Sequence, residues 1–133
     1  MDIALCTFDL KSLHLQYAGA NRPLWLFRNG EFLEIKPDKL AIGGFRIKVD
    51  ATFTNHEMRL QAGDTIYLFT DGFADQFGGT YGKKLLSKHL REILSTIQNL
   101  SMREQEKRLT EIFTEWKGDM IQVDDVLVIG VRI

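Results

Sequence analysis

Leu13, Leu15 and Tyr17 alternate with His14 and Gln16, the two-residue period of a strand with one buried face. Asn21-Arg22-Pro23 breaks that pattern, and Leu24 to Phe27 forms a second apolar run. Asn29-Gly30 follows, a hairpin signal because both residues tolerate positive φ. Phe32, Leu33 and Ile35 make a short return strand closed by Pro37-Asp38, so Ser12 to Ile35 reads as an antiparallel meander. Gly43-Gly44 marks a turn. Phe53 to Leu60 reads as another strand, ended by Ala62-Gly63-Asp64. Thr65 to Thr70 is the strongest strand, rich in aromatic and β-branched residues, and it stops at Asp71-Gly72.

The period then changes. Leu86, Leu90, Ile93, Leu94 and Ile97 share one helical face, which predicts a helix over about 83–98. Ser101-Met102-Arg103-Glu104 is a capping box. It opens a second helix over 102–117 with Leu109, Ile112, Phe113 and Trp116 as its apolar stripe and Gly118 as its C-terminal cap. Val126 to Ile133 is a last strand. Strands, two helices, then one strand predict an α+β fold, with antiparallel helices on one face of an antiparallel sheet.

Composition narrows the function classes. The chain has 133 residues, 44% of them hydrophobic and 26% charged, as in an ordinary soluble single domain. Its net charge of -1 lacks the basic footprint of a nucleic-acid binder. No apolar run reaches the ~20 residues of a membrane span, and no signal peptide precedes the first strand, which implies a cytoplasmic chain. A membrane-anchored parent is compatible with this. The strand-like run from Met1 to Cys6 begins without a polar lead-in and suggests a piece of something longer. Cys6 is the single cysteine. It sits among apolar residues and reads as a core thiol rather than a nucleophile.

Two acidic positions carry the candidate chemistry. Asp71 ends the most hydrophobic strand, just before Gly72, and Asp124 and Asp125 open the last one. A carboxylate at the edge of a buried strand must be paired, hydrogen-bonded or bound to a cation. Mg²⁺ and Mn²⁺ prefer such hard oxygen donors. The structural alternative is that Asp71 caps the segment after its strand while Asp124 sits in a turn. Asp75 reads as a helix-start charge. His14 alternates with apolar residues and reads as a solvent-facing strand residue, and His56 and His89 lack the spacing of a metal site.

The local wording resembles a known family. Leu68-Phe69-Thr70-Asp71-Gly72-Phe73-Ala74-Asp75 resembles the strand–Thr-Asp-Gly–turn motif of SpoIIE-like phosphatases, a bacterial branch of the metal-dependent PPM phosphatases. Gln122-Val123-Asp124-Asp125-Val126-Leu127-Val128-Ile129 is similar to their closing Asp-Asp motif. Leu15-Gln16-Tyr17-Ala18-Gly19-Ala20-Asn21-Arg22-Pro23-Leu24 resembles their Tyr-Ala-Asn-Ala-Gly-His-Asn-Pro segment, with Ala20 where the family has His. Arg28-Asn29-Gly30-Glu31 resembles the following hairpin, and Ala41-Ile42-Gly43 the family's Pro-Leu-Gly turn. The motifs occur in the right order over nearly the whole chain.

The resemblance implies one partial domain over 1–133, the C-terminal portion of an α-β-β-α sandwich. It implies a phosphoserine/phosphothreonine phosphatase in which two or more Mn²⁺ or Mg²⁺ ions activate a water, with no protein nucleophile. Asp71, Gly72 and Asp124 would be metal-site residues. Asp125 would support them or serve as an alternative ligand. The family's N-terminal Asp-x-x-Gly-His-Gly motif is missing, so the chain alone should be inactive. The implied partner is a phosphoprotein such as an anti-anti-sigma regulator, without nucleic acid or membrane. Exposed strand edges would favour self-association. The competing expectation is a non-catalytic phosphatase-like module that binds a regulatory protein.

Overall fold

The computed structural model describes residues 1–43 and 52–133, so Gly44 of the expected Gly43-Gly44 turn lies outside the described residues. The strands are β1 (Ile3–Asp9), β2 (His14–Ala20), β3 (Leu24–Arg28), β4 (Glu31–Ile35), β5 (His56–Arg59), β6 (Thr65–Phe69), β7 (Phe77–Gly78), β8 (Lys83–Lys84) and β9 (Val128–Arg132). The helices are α1 (Gly72–Asp75), α2 (Ser87–Thr96) and α3 (Met102–Lys117). One compact unit comprises 1–68 with 131–133, and a second comprises 69–130. The fold is α+β with antiparallel strand pairs, as the periodicities predict.

The larger sheets are ordered β1-β2-β5 and β4-β3-β6-β9. This corrects the expected meander, because β2 and β3 lie in different sheets. Asn21, with φ 57, turns the chain out of β2, and Pro23 brings no N–H to a ladder. β2 then takes β1 and β5 as neighbours, while β3 takes β4 and β6. Alternation decides the core. Leu15 and Tyr17 of β2 join Leu24 and Leu26 of β3, with Ile35, Leu60 and Ile66. Trp25, Phe27 and Tyr67 occupy the opposite face of their sheet and are also buried, which is why β3 reads as an unbroken apolar run. Their rings meet edge-on, with Phe27 and Tyr67 at 5.7 Å between centroids and Trp25 and Phe32 at 5.4 Å.

The Tyr-Ala-Gly stretch has a packing reason. The Tyr17 hydroxyl donates to the Arg22 carbonyl, so its ring crosses Gly19. A Cβ on Gly19 would stand 2.0 Å from that hydroxyl oxygen. Tyr17 thereby ties the end of β2 to the turn that leads into β3.

Asp64 is 1% exposed and holds the β5–β6 turn. It accepts from Arg28 Nε at 2.9 Å, from Arg28 Nη2 at 2.6 Å and from the Gln61 N–H at 2.8 Å. Burial by itself raises its pKa. The Arg28 hydrogen bonds, the Gln61 N–H and the Arg28 charge outweigh burial and hold the carboxyl below its usual range. A depressed folded pKa means the stabilisation is complete above the unfolded value of ~3.9 and is lost as pH falls through the folded one. A fully buried pair costs ~3–5 kcal/mol to break. The Arg28 side chain is 31% exposed, so Asp64→Asn should cost about 2–3 kcal/mol at neutral pH. In urea melts from pH 7 down to pH 2, the gap between wild type and variant should close on the acid side. A gap independent of pH would refute the charged pair.

In the second unit, α3 begins and ends as predicted. Ser101 N–H donates to Glu104 Oε2 at 2.8 Å, the Glu104 N–H donates to Ser101 Oγ at 3.3 Å, and the Gly118 N–H donates to the Thr114 carbonyl at 3.0 Å. The preceding helix is shorter than the expected 83–98, because Lys83 and Lys84 pair with Phe77 and Gly78 as a small hairpin and Leu86 turns the chain at φ 74. The last strand starts at Val128 rather than Val126. Helix α1 holds Asp75 in its first turn, and it begins at Gly72, directly after Asp71.

Candidate metal centre

Every acidic residue singled out in the sequence lies in the second unit. Asp71 follows the end of β6 and occupies the N-cap of α1, where its carbonyl accepts from the Asp75 N–H at 2.8 Å. Its side chain makes no capping hydrogen bond. Asp71 is half-buried, while Asp124 and Asp125 are exposed in the segment leading to β9.

Backbone contacts join the two acidic segments. The Thr70 N–H donates to the Leu127 carbonyl at 3.0 Å. The Thr70 hydroxyl donates to the Asp125 carbonyl at 2.8 Å and accepts from the Leu127 N–H at 3.0 Å. One threonine side chain thus satisfies two backbone groups from residues 55 and 57 positions away. Gly72 closes the joint, since a Cβ there would stand 2.3 Å from the Asp125 carbonyl oxygen and 2.9 Å from its carbon. Asp125 backbone is therefore the neighbour that demands a glycine. The Asp124 carboxylate accepts from the Asp125 N–H at 2.7 Å, and Gln122 Nε2 donates to the Asp124 carbonyl at 2.9 Å.

These residues offer carboxylate and carbonyl oxygens without thiolate or imidazole, which suits Mg²⁺ or Mn²⁺ in kind. Their number is small: among the described residues, no group of three or more His, Cys, Asp or Glu comes together to hold a metal ion. Other candidates have separate employment. Asp75 pairs with Lys84 at 3.0 Å. His14 lies 3.4 Å from Glu57, and the His56 ring packs on Tyr17. His89 Nδ1 contacts the Leu85 carbonyl at 2.5 Å. Burial pushes the Cys6 thiol up to about 11, so it is protonated at neutral pH and a poor nucleophile. Thr70 and Gln76 are site neighbours that no sequence signal marks by periodicity. Thr70 directly follows β6 and immediately precedes Asp71. Its place beside the aspartate was the available signal.

The antiparallel α+β architecture is that of PP2C-type phosphatase domains. The SiaA-PP2C domain of Pseudomonas aeruginosa superposes with a TM-score of 0.88 at 32% identity, covering 99% of this chain and 51% of that one. The phosphatase domain of the cell fate determinant SpoIIE from Bacillus subtilis matches at a TM-score of 0.67 and 16% identity, over 99% of this chain and 58% of that one. The RsbU and RsbW domains of a Mycobacterium tuberculosis protein match at 0.67 and 18%, over 98% and 35%. The family model for stage II sporulation protein E (SpoIIE) matches residues 1–133, and the chain belongs to that family. It spans about half the length of the SiaA domain it matches. No curated protein sequence matches it. Among the described residues, no helix is long and apolar enough to cross a membrane.

Proposed function

We propose that this chain is the C-terminal portion of a metal-dependent phosphoserine/phosphothreonine phosphatase domain. In the complete domain, Asp71, Asp124 and the Gly72 backbone would hold Mn²⁺ or Mg²⁺, with Asp125 beside them as a support or alternative ligand. Bound divalent ions supply an acidified water and neutralise phosphoryl oxygens. The chain's own part is to set its carboxylates at fixed positions. The N-terminal half of the domain would complete the ligand set. Substrates would be phosphoproteins of a cytoplasmic signalling pathway, of the anti-anti-sigma type.

The observation that supports this reading is the joining of Thr70–Gly72 to Asp125–Leu127 in a member of the SpoIIE family. The test is hydrolysis of a phosphoserine peptide by this chain joined to the N-terminal half of its domain. Turnover should require Mn²⁺ or Mg²⁺ and stop on chelation. No turnover with either ion, in a folded domain, would replace this reading with a partner-binding module.

A further inference from the structure

Ile121 and Val123, just before the acidic pair, are 84% and 57% exposed. Side-chain burial therefore cannot fix the course of this segment, and any fixed position must come from its backbone. Gln76 supplies that hold. It is 0% exposed, and its Nε2 donates to the Ile121 carbonyl at 3.0 Å and to the Phe77 carbonyl at 2.9 Å. Its own backbone is pinned in turn. The Gln76 carbonyl accepts from Trp116 Nε1 at 3.0 Å and from the Leu85 N–H at 3.1 Å. The Gly79 N–H donates to the Trp116 carbonyl at 2.8 Å, and a Cβ on Gly78 would stand 1.8 Å from that same oxygen.

Helix α1 thus grips the 121–127 segment at both ends. Thr70 and Gly72 hold Asp125 and Leu127 at its start, and Gln76 holds Ile121 at its finish. Asp124 lies between the two grips, while Asp71 occupies the N-cap position of the same helix. We infer that Gln76 is a positioning residue for the metal centre, holding Asp124 and Asp125 in register with Asp71 through the Ile121 carbonyl. This rests on the metal-site reading above for its consequence, though not for the clasp itself.

Gln76→Leu separates positioning from mere stability. The Gln76 side-chain oxygen has no hydrogen-bond partner. Leucine removes that orphaned acceptor and nearly keeps the volume, and the two carbonyls that lose a donor belong to the exposed residues Ile121 and Phe77, where water replaces it. In the full-length protein, the variant should melt close to wild type. Amide exchange over 121–125, measured without metal, should speed up about tenfold, and the Mn²⁺ dissociation constant read by EPR titration should rise ~10–100-fold, as for other groups that orient ligands. Trp116→Phe, which deletes one N–H, should move both readouts the same way to a smaller extent and serves if Gln76→Leu does not fold. Unchanged exchange in either folded variant overturns the clasp. Faster exchange with an unchanged Mn²⁺ constant overturns its positioning role. Faster exchange in a protein whose wild type binds no Mn²⁺ upholds the clasp and overturns the metal reading.

Discussion

Gly72→Ala should destabilise the protein by about 3 kcal/mol or more, at or above the upper end of ordinary overpacking. Gly72 does not adopt a positive φ, so the cost is steric rather than conformational. The new methyl would meet the Asp125 carbonyl oxygen at 2.3 Å, its carbon at 2.9 Å and Val126 Cγ2 at 3.2 Å. Two of these are backbone atoms, which no rotamer change can move aside. Neither side yields easily. The Asp125 carbonyl is held by the Thr70 hydroxyl, and the far end of α1 is held by Leu86, whose N–H donates to the Ala74 carbonyl at 2.7 Å. Relief requires the Asp125–Leu127 segment to move away, which breaks both Thr70 hydroxyl bonds and displaces the acidic pair. Gly30→Ala is the matched control. Gly30 has φ 81 with nothing within 4 Å of its added Cβ, so it carries only the left-handed strain of ~1–2 kcal/mol. Urea melts of the two variants decide the matter. A Gly72→Ala protein as stable as Gly30→Ala would mean that the joint is soft.

The parts of the fold that could be read in advance are those written in local signals. Helix α3 carries its capping box, its apolar stripe and its terminal glycine within 102–118, and the structure returns the same bounds. Strand β6 is legible for the same reason. The partition of strands between sheets is not local. Gln16 of β2 pairs with Glu57 of β5 across 41 positions, and nothing near Gln16 names that partner. The short hairpin before α2 was hidden because Leu86 adopts a positive φ that leucine does not advertise. At the site, Asp71, Gly72, Asp124 and Asp125 stood out by strand-end position and motif. Gln76 did not, because a lone glutamine after a strand carries no periodicity and becomes buried only through tertiary packing. The backbone neighbour that Gly72 admits, Asp125, lies more than fifty positions away, so nothing local to Gly72 names it.

Asp71→Asn should reduce metal-dependent hydrolysis of p-nitrophenyl phosphate about a hundredfold in the complete domain, with little change in melting temperature. Asparagine preserves the shape of the side chain, and the Asp71 side chain makes no capping hydrogen bond that the substitution could remove, so the start of α1 survives. What changes is one negative charge and one hard oxygen at the proposed centre. Mg²⁺ gives up its waters reluctantly and demands near-octahedral geometry, so a neutral amide in place of a carboxylate loosens the ion. An attacking water displaced by ~1 Å can cost about a hundredfold in rate. Residues 1–133 alone should behave like the variant or worse. Their acidic residues would repel one another without the remaining ligands, and a dication held by so few groups would be held weakly. Asp125→Asn should fall between wild type and Asp71→Asn, because the joint uses the Asp125 carbonyl, which the substitution leaves untouched. Full activity in Asp71→Asn would refute the ligand assignment, and robust Mn²⁺-dependent turnover by residues 1–133 would show that the site is complete without the other half.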